Sequence, residues 1–509
     1  VDNINFKSRE KLRINQINSL KYNLAFDKDF RRELPYYVLY DIPVNYKNSF
    51  VCGTGNIYYA FSPIKNNNYN KIDFTKKSND KCISFNTGKK LIILGYSINK
   101  EDNLKIKFHK KYFNKFLFFL NTISVLIFYI IFIKQFFVLK KISKIEVSIF
   151  LVSILSTILI IILKDHNLLT GLRYYRGSAD GLMHEFQANM IVKNLMNRNF
   201  LEALMGGETV FYYMPGLRYF LAIGKIIFGD TNYLYVLSLP ILPMSLFYLF
   251  KNITSEKISF YLIILFTIIP VFENMGYGHL NYVHQVMRNH AETLSITIII
   301  LIISKISNPN FKYNISHSKL FLYCFFLSFA SFCRPNFIPT TSILFMYLLI
   351  VSYNINFKYI LSALIGYSFI FISFIHNLYF GDNYSFFTRS NIHFIFNDAF
   401  QNLFIDKEQE GNLFLNQLLK WNPVYNIHRI FILIFIIYSF FTRKKNALLV
   451  LLFFSSIAQH AVLLLTHADS RYSYLAWLLT FIIFIYYLIN YEFKKNYKFW
   501  QRKMDSNLR

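Results

Sequence analysis

Apolar runs long enough to cross a lipid bilayer recur along this 509-residue chain, and they set what it can fold into. Residues 116–132 and 147–163 are examples, and a shorter apolar run, 478–489, ends a further segment. Inside hydrocarbon no water is present to satisfy backbone N–H and C=O groups, so such runs must form helices. About eleven are expected, at 114–138, 146–164, 233–250, 258–273, 291–306, 319–333, 338–354, 358–377, 427–441, 446–465 and 471–490. Composition agrees. Hydrophobic residues make up 54% and charged residues 16%, against roughly a quarter charged in soluble proteins. The expected fold class is a polytopic α-helical membrane protein, with residues 113–490 as its transmembrane domain.

Basic residues orient these spans, because short cytoplasmic loops collect Lys and Arg. Lys140, Lys141 and Lys144 form one such loop, Arg443, Lys444 and Lys445 another, and Lys305, Lys312 and Lys319 surround a third. The tail 491–509 is also basic. With these inside, residues 1–112, 165–232, 274–290, 378–426 and 466–470 face out. The segment 216–229 must then lie at the interface rather than span, because a crossing there would invert every later loop. The net charge of +27, from 55 Lys and Arg against 28 Asp and Glu, follows from this bias and from a composition rich in Lys, Asn, Ile, Phe and Tyr. No nucleic-acid partner is expected.

Residues 1–112 are polar, with short alternating runs separated by Lys- and Asn-rich turns, the pattern of a small β-rich domain. Cys52 and Cys82 lie within it and can form a disulfide if it is extracytoplasmic. Cys324 and Cys333 sit in or beside apolar runs, as small packing residues. The chain begins at Val1 rather than Met, as a fragment or processed form would.

The stretch 172–229 is polar and glycine-punctuated, yet lies between spans. Ser178 can cap a helix starting near Asp180, with Leu182, Phe186 and Met190 as its apolar stripe. Asp180 at a helix N-terminus is favoured as the ionised form. There it can accept a proton from a hydroxyl or hold a divalent metal; its structural alternative is simple capping. His184 and Glu185 lie one turn on. Gly206 and Gly207 predict a tight turn that projects Glu208. Tyr212 and Tyr213 suit a sugar platform or an interfacial aromatic belt. Further on, 273–292 carries His279, His284, Arg288, His290 and Glu292 without an HExxH pattern. Arg334 and the group His467, Asp469 and Arg471 mark span ends, where they either anchor the topology or bind a phosphate. No phosphate-binding glycine loop or serine-hydrolase elbow occurs in a suitable context.

Asp180, the segment Tyr212-Tyr213-Met214-Pro215 and the run Ile226-Ile227-Phe228-Gly229-Asp230 together resemble the GT-C superfamily of integral-membrane glycosyltransferases. Its members include the protein O-mannosyltransferases and the lipid A aminoarabinose transferases. The resemblance implies membrane-parallel helices in the first large outer loop, a polyprenyl-phosphate-linked sugar donor and transfer on the extracytoplasmic side of a bacterial inner membrane. It implies Asp180 as base or metal ligand, with Glu208 or the 273–292 loop supplying the second acid and Glu185 as a further candidate. His184, Tyr212, Tyr213, Arg288, His290, Arg334 and Arg471 would bind substrate. Besides the lipid-linked donor, the expected partners are membrane lipids and a glycan, lipid or protein acceptor. The chain departs from the family in pairing Asp180 with His184 and Glu185, and in the β-rich segment before the spans. A polysaccharide flippase, or a surface-polysaccharide polymerase or ligase, is the rival reading. A flippase would place charges at mid-span and show pseudo-symmetric halves.

Overall fold

The computed structural model describes the backbone of strands within 36–95, and residues 123, 127, 143–165, 179–228, 232–269, 275–308, 311, 315–353, 356–387, 424–443, 446–465 and 470–489. The strands are β1 Tyr36–Asp41, β2 Ser49–Gly53, β3 Ile57–Pro63, β4 Tyr69–Asp73, β5 Lys81–Phe85 and β6 Lys90–Gly95. They pair as a four-stranded sheet in the order β1-β6-β3-β4 and a separate β2-β5 ladder. All pairings are antiparallel, and Cys52 stands opposite Cys82.

The helices follow in chain order: α1 Lys144–Asp165, α2 Ala179–Met196, α3 Phe200–Leu204, α4 Gly216–Phe228, α5 Tyr233–Ser238, α6 Ile241–Ile253, α7 Glu256–Ile268, α8 His279–Met287 and α9 Glu292–Ile306. Then come α10 His317–Cys333, α11 Ile338–Tyr353, α12 Phe357–Tyr367, α13 Phe371–Gly381, α14 Ile427–Thr442, α15 Ala447–Leu465 and a last helix, α16, over 474–489. Among the described residues five helical stretches are long and apolar enough to cross a membrane: Lys144–Ile161, Tyr233–Ile253, Phe357–Gly381, Ala447–Leu464 and Arg471–Ile489. These are the dimensions of a helical membrane protein.

The faces of α1 carry the same message. Val147, Leu151, Leu155 and Leu159 recur every fourth residue and are exposed, Leu155 by 62%. Ile149, Ser153, Thr157 and Ile161 line the buried face. In water that arrangement would be inverted, with polar residues outside. Ser153 and Thr157 donate their hydroxyls to the carbonyls of Ile149 and Ser153, both at 2.7 Å, so no polar atom of this pair is left unsatisfied inside the bundle. Helices α12–α13 and α14 present similar outer faces, through Leu361, Ile365, Ile372 and Ile375, and through Phe431, Ile434 and Phe441.

Several expected spans are shorter than their apolar runs. The expected 258–273 segment is the 13-residue α7, about 20 Å long against a hydrocarbon core of about 30 Å. It stops because Pro270 follows Ile269, and a residue before proline is driven out of the helical region; Ile269 is extended, at φ −107° and ψ 110°. The 291–306 segment is the 15-residue α9. Helices α10, α11 and α14 are apolar but also below full spanning length. The expected 358–377 helix runs further, to Gly381, and tightens into a 3-10 turn over Ser368–Ile370. Ser328 of α10 repairs that break: its hydroxyl donates to Tyr367 O at 2.8 Å and accepts from Ile370 N at 2.7 Å. The expected 114–138 span and the 491–509 tail lie outside the described residues, apart from 123 and 127.

Candidate active site

The site grows from α2, which begins at Ala179 and places Asp180 in its first turn. Ser178, the expected cap, lies outside the described residues. The next residue, Gly181, sits against the backbone of Arg288: a Cβ there would stand 1.8 Å from the Arg288 carbonyl oxygen. Only glycine permits this approach, so the start of α2 is moored on the turn Arg288–Asn289–His290. That turn follows α8, and Asn289 takes a left-handed conformation, φ +51°, which asparagine tolerates better than most residues.

A second mooring lies one turn along α2. Asn289 Nδ2 donates to Glu185 Oε2 at 2.8 Å, and Lys225 Nζ of α4 meets Glu185 Oε1 at 2.6 Å. Asn232 Nδ2 in turn donates to Asn289 Oδ1 at 2.7 Å. The deeply buried face of α2 is therefore His184, Glu185, Gln187, Ala188 and Ile191. The expected apolar stripe is only half-buried at Phe186 and Met190. A polar face turns inward because a cation and an amide receive it.

Helix α4 shows the complementary pattern. Arg218 and Lys225 point inward, while Ile223, Ile226 and Ile227 are exposed, Ile227 by 59%. Its outer face is apolar and its charges serve the site. Gly206 and Gly207 form the expected tight turn, at φ +63° and +85°, the left-handed region that glycine enters without strain. Glu208 follows and is received by Arg218 Nη1 at 2.9 Å, by Tyr212 N at 3.1 Å and by the Gln187 amide. Arg218 Nη1 also donates to Gly206 O at 3.1 Å, so one guanidinium holds the whole turn. Burial pulls Arg218 below the usual arginine value, while the Glu208 charge and hydrogen bond push it back up. Phe211 stacks on His376 of α13 at 3.7 Å, and its N–H donates to Asn377 Oδ1 at 2.9 Å. Tyr212 and Tyr213 meet edge-to-face at 4.7 Å; Tyr212 is exposed and Tyr213 lies 5.8 Å from the His184 ring.

The third group is an arginine pair. Arg334 follows α10, Arg471 lies in the 3-10 turn Ser470–Ser473, and Glu292 is the first residue of α9. Arg334 Nη2 reaches Glu292 Oε1 at 3.0 Å, and Arg471 Nε approaches the same oxygen at 3.8 Å. Both guanidinium carbons lie 4.8 Å from the centre of the Tyr472 ring, within the range for attraction to an aromatic face. Arg471 Nη1 is 3.2 Å from His290 Nε2, and the Gln285 side-chain carbonyl meets His290 Nδ1.

The structure thus gathers Glu185, Arg288, His290, Arg334 and Arg471 about one turn, and sets His184 of α2 beside Tyr213 on the loop that also carries Glu208 and Tyr212. Tyr472, Asn289, Lys225 and Arg218 were not assigned site roles from sequence, and Glu292 was foreseen only as one acid of the 273–292 loop. Only Glu292, an acid at the start of an apolar run, offered a signal there. His279 stands apart from the gathered residues: it is buried beside α1, 2.7 Å from Thr157 Oγ1, and burial drives its pKa down to about 3. His467 and Asp469 lie outside the described residues. No group of three metal-ligating side chains converges among the described residues. Comparison with protein-family models, with curated proteins and with solved structures gives no match.

Proposed function

We propose that this chain is an integral-membrane glycosyltransferase of the GT-C type. In this reading about eleven helices cross a bacterial inner membrane, and the β-rich segment and the α2–α4 loop face outward. The enzyme moves a sugar from a polyprenyl-phosphate-linked donor to a hydroxyl of a glycan, lipid or protein acceptor. One observation carries the reading: the turn Arg288–Asn289–His290 joins the helix bearing Asp180 to the Arg334–Arg471 pair. A carboxylate at a helix N-terminus and paired guanidiniums held together are what such a displacement requires.

In the reaction, the acceptor oxygen bonds to the anomeric carbon as the bond from that carbon to the phosphate oxygen breaks. Asp180 takes the acceptor proton. Arg288, Arg334 and Arg471 neutralise the charge growing on the departing polyprenyl phosphate. His184, His290, Tyr212 and Tyr213 flank the sugar and acceptor. Glu185 and Glu208 organise the loop rather than move protons, because each is already engaged by a buried cation. The resemblance also allows a divalent ion at Asp180, and no step is assigned to one.

The test compares surface glycans by mass spectrometry with wild type, with Asp180→Asn and without the protein. Asp180→Asn should match the strain lacking the protein while its membrane expression stays normal. Transfer that survives in the variant removes Asp180 from the mechanism.

A further inference from the structure

We infer that Glu292 and Tyr472 are positioning residues that hold Arg334 and Arg471 together as one phosphate clamp. The inference rests on the transferase reading for the identity of the ligand, a polyprenyl phosphate headgroup. It adds two residues to that site and makes the two arginines a single unit.

The argument starts from repulsion. Arg334 and Arg471 come from elements far apart in sequence, yet their guanidinium carbons are both 4.8 Å from one aromatic ring. Two like charges in a water-poor environment repel strongly unless something stands between them. Glu292 does so: its Oε1 is 3.0 Å from Arg334 Nη2 and 3.8 Å from Arg471 Nε. Its position as the first residue of α9 adds the favourable end of the helix dipole. Tyr472 supplies the second tie, because its hydroxyl accepts from Arg471 Nη2 at 2.8 Å. Its ring centre lies 4.8 Å from both guanidinium carbons and attracts each. Two guanidiniums stand against one carboxylate, so these three side chains together keep an excess positive charge that suits a phosphate, and bidentate pairing with arginine needs the fork fixed in direction. Glu292 and Tyr472 provide that direction. Gln459 of α15 braces the same segment, donating to Asn336 O at 3.1 Å two residues after Arg334.

The experiment measures binding of decaprenyl monophosphate and of decaprenol to the full-length protein in lipid nanodiscs, by native mass spectrometry. No sugar transfer is read, so the result is separate from the glycan assay. Wild type should bind the phosphate form at least about tenfold more tightly than the alcohol. Glu292→Gln should lose about tenfold in phosphate binding and leave decaprenol binding unchanged, while Glu292→Asp recovers most of the loss. In the wild-type background Arg334→Gln and Arg471→Gln should be strongly non-additive; in the Glu292→Gln background they should become additive. If Glu292→Gln does not fold, Tyr472→Leu carries the same test, with a loss of about fivefold specific to the phosphate. Three results overturn the inference: no preference of wild type for the phosphate, unchanged binding in these variants, or equal loss for phosphate and alcohol. Intact clamp behaviour in a protein whose absence leaves surface glycans unchanged would remove the transferase reading and leave the clamp standing.

Discussion

Gly181 and the carbonyl of Arg288 are in backbone contact, with no room between them for a methyl group. This contact brings the first turn of α2 onto the turn that also carries Asn289 and His290. Gly181→Ala must therefore push the two segments apart or distort one of them. We expect a loss of about 1–3 kcal/mol, read as a lower melting temperature of the purified protein in detergent. In the transferase reading, the loss of transfer should exceed the loss of folded protein, because the displaced segment bears Asp180.

Glu185 and Lys225 form a buried pair at 2.6 Å, with side-chain exposures of 10% and 2%. Removing one partner leaves a charge with poor access to water. Glu185→Gln should cost about 3–5 kcal/mol. The double variant Glu185→Leu with Lys225→Met should regain much of that stability in thermal unfolding. If the double variant is stable and still transfers sugar, Glu185 is structural; if it is stable and inactive, the carboxylate itself acts in the reaction.

His279 is buried with its ring against Thr157, and burial lowers its pKa to about 3. The unfolded chain takes up this proton near the ordinary histidine value of about 6.5, before the folded protein does. The sign follows. The contribution is fully present above about pH 6.5 and is lost as pH falls towards 3, by up to about 1.4 kcal/mol per pH unit. Melting temperatures measured between pH 7.5 and 5 should fall in wild type. His279→Gln should flatten that dependence, and an unchanged slope would show that other groups set it.

Cys52 and Cys82 are directly opposed in the β2-β5 ladder. If the segment faces an oxidising compartment, this register favours a disulfide. Non-reducing electrophoresis with thiol alkylation should then show one internal bridge in the full-length protein. Cys52→Ser should abolish the shift in mobility, and two freely alkylated thiols would place the segment in a reducing environment or leave the pair unbridged.

Much of the helical frame was legible in the sequence because lipid imposes a severe rule. Long apolar runs must close their own hydrogen bonds, so their helical state needs no knowledge of neighbours. The segment 216–229 was likewise legible as a helix, and it appears as α4 over Gly216–Phe228. Its lengthwise pattern could not say that Arg218 and Lys225 point inward. That outcome depends on Glu208 and Glu185, which approach from other parts of the chain. Helix ends were also partly hidden: Pro270 shortens α7, whereas Ser328 lets α12 and α13 continue as one long stretch by bonding both sides of its break.

By itself, the sequence determined the class of protein, the polar interval between spans and the tight turn ahead of Glu208. Each follows from local composition or backbone freedom. Only the tertiary structure decided which polar residues share a site. Glu292, Arg334, Arg471 and Tyr472 come from three distant stretches of chain and meet around one carboxylate and one ring. Gly181 meets Arg288 for the same reason. Ion pairs and backbone contacts of this kind depend on distances between packed helices, and no spacing along the chain encodes those distances.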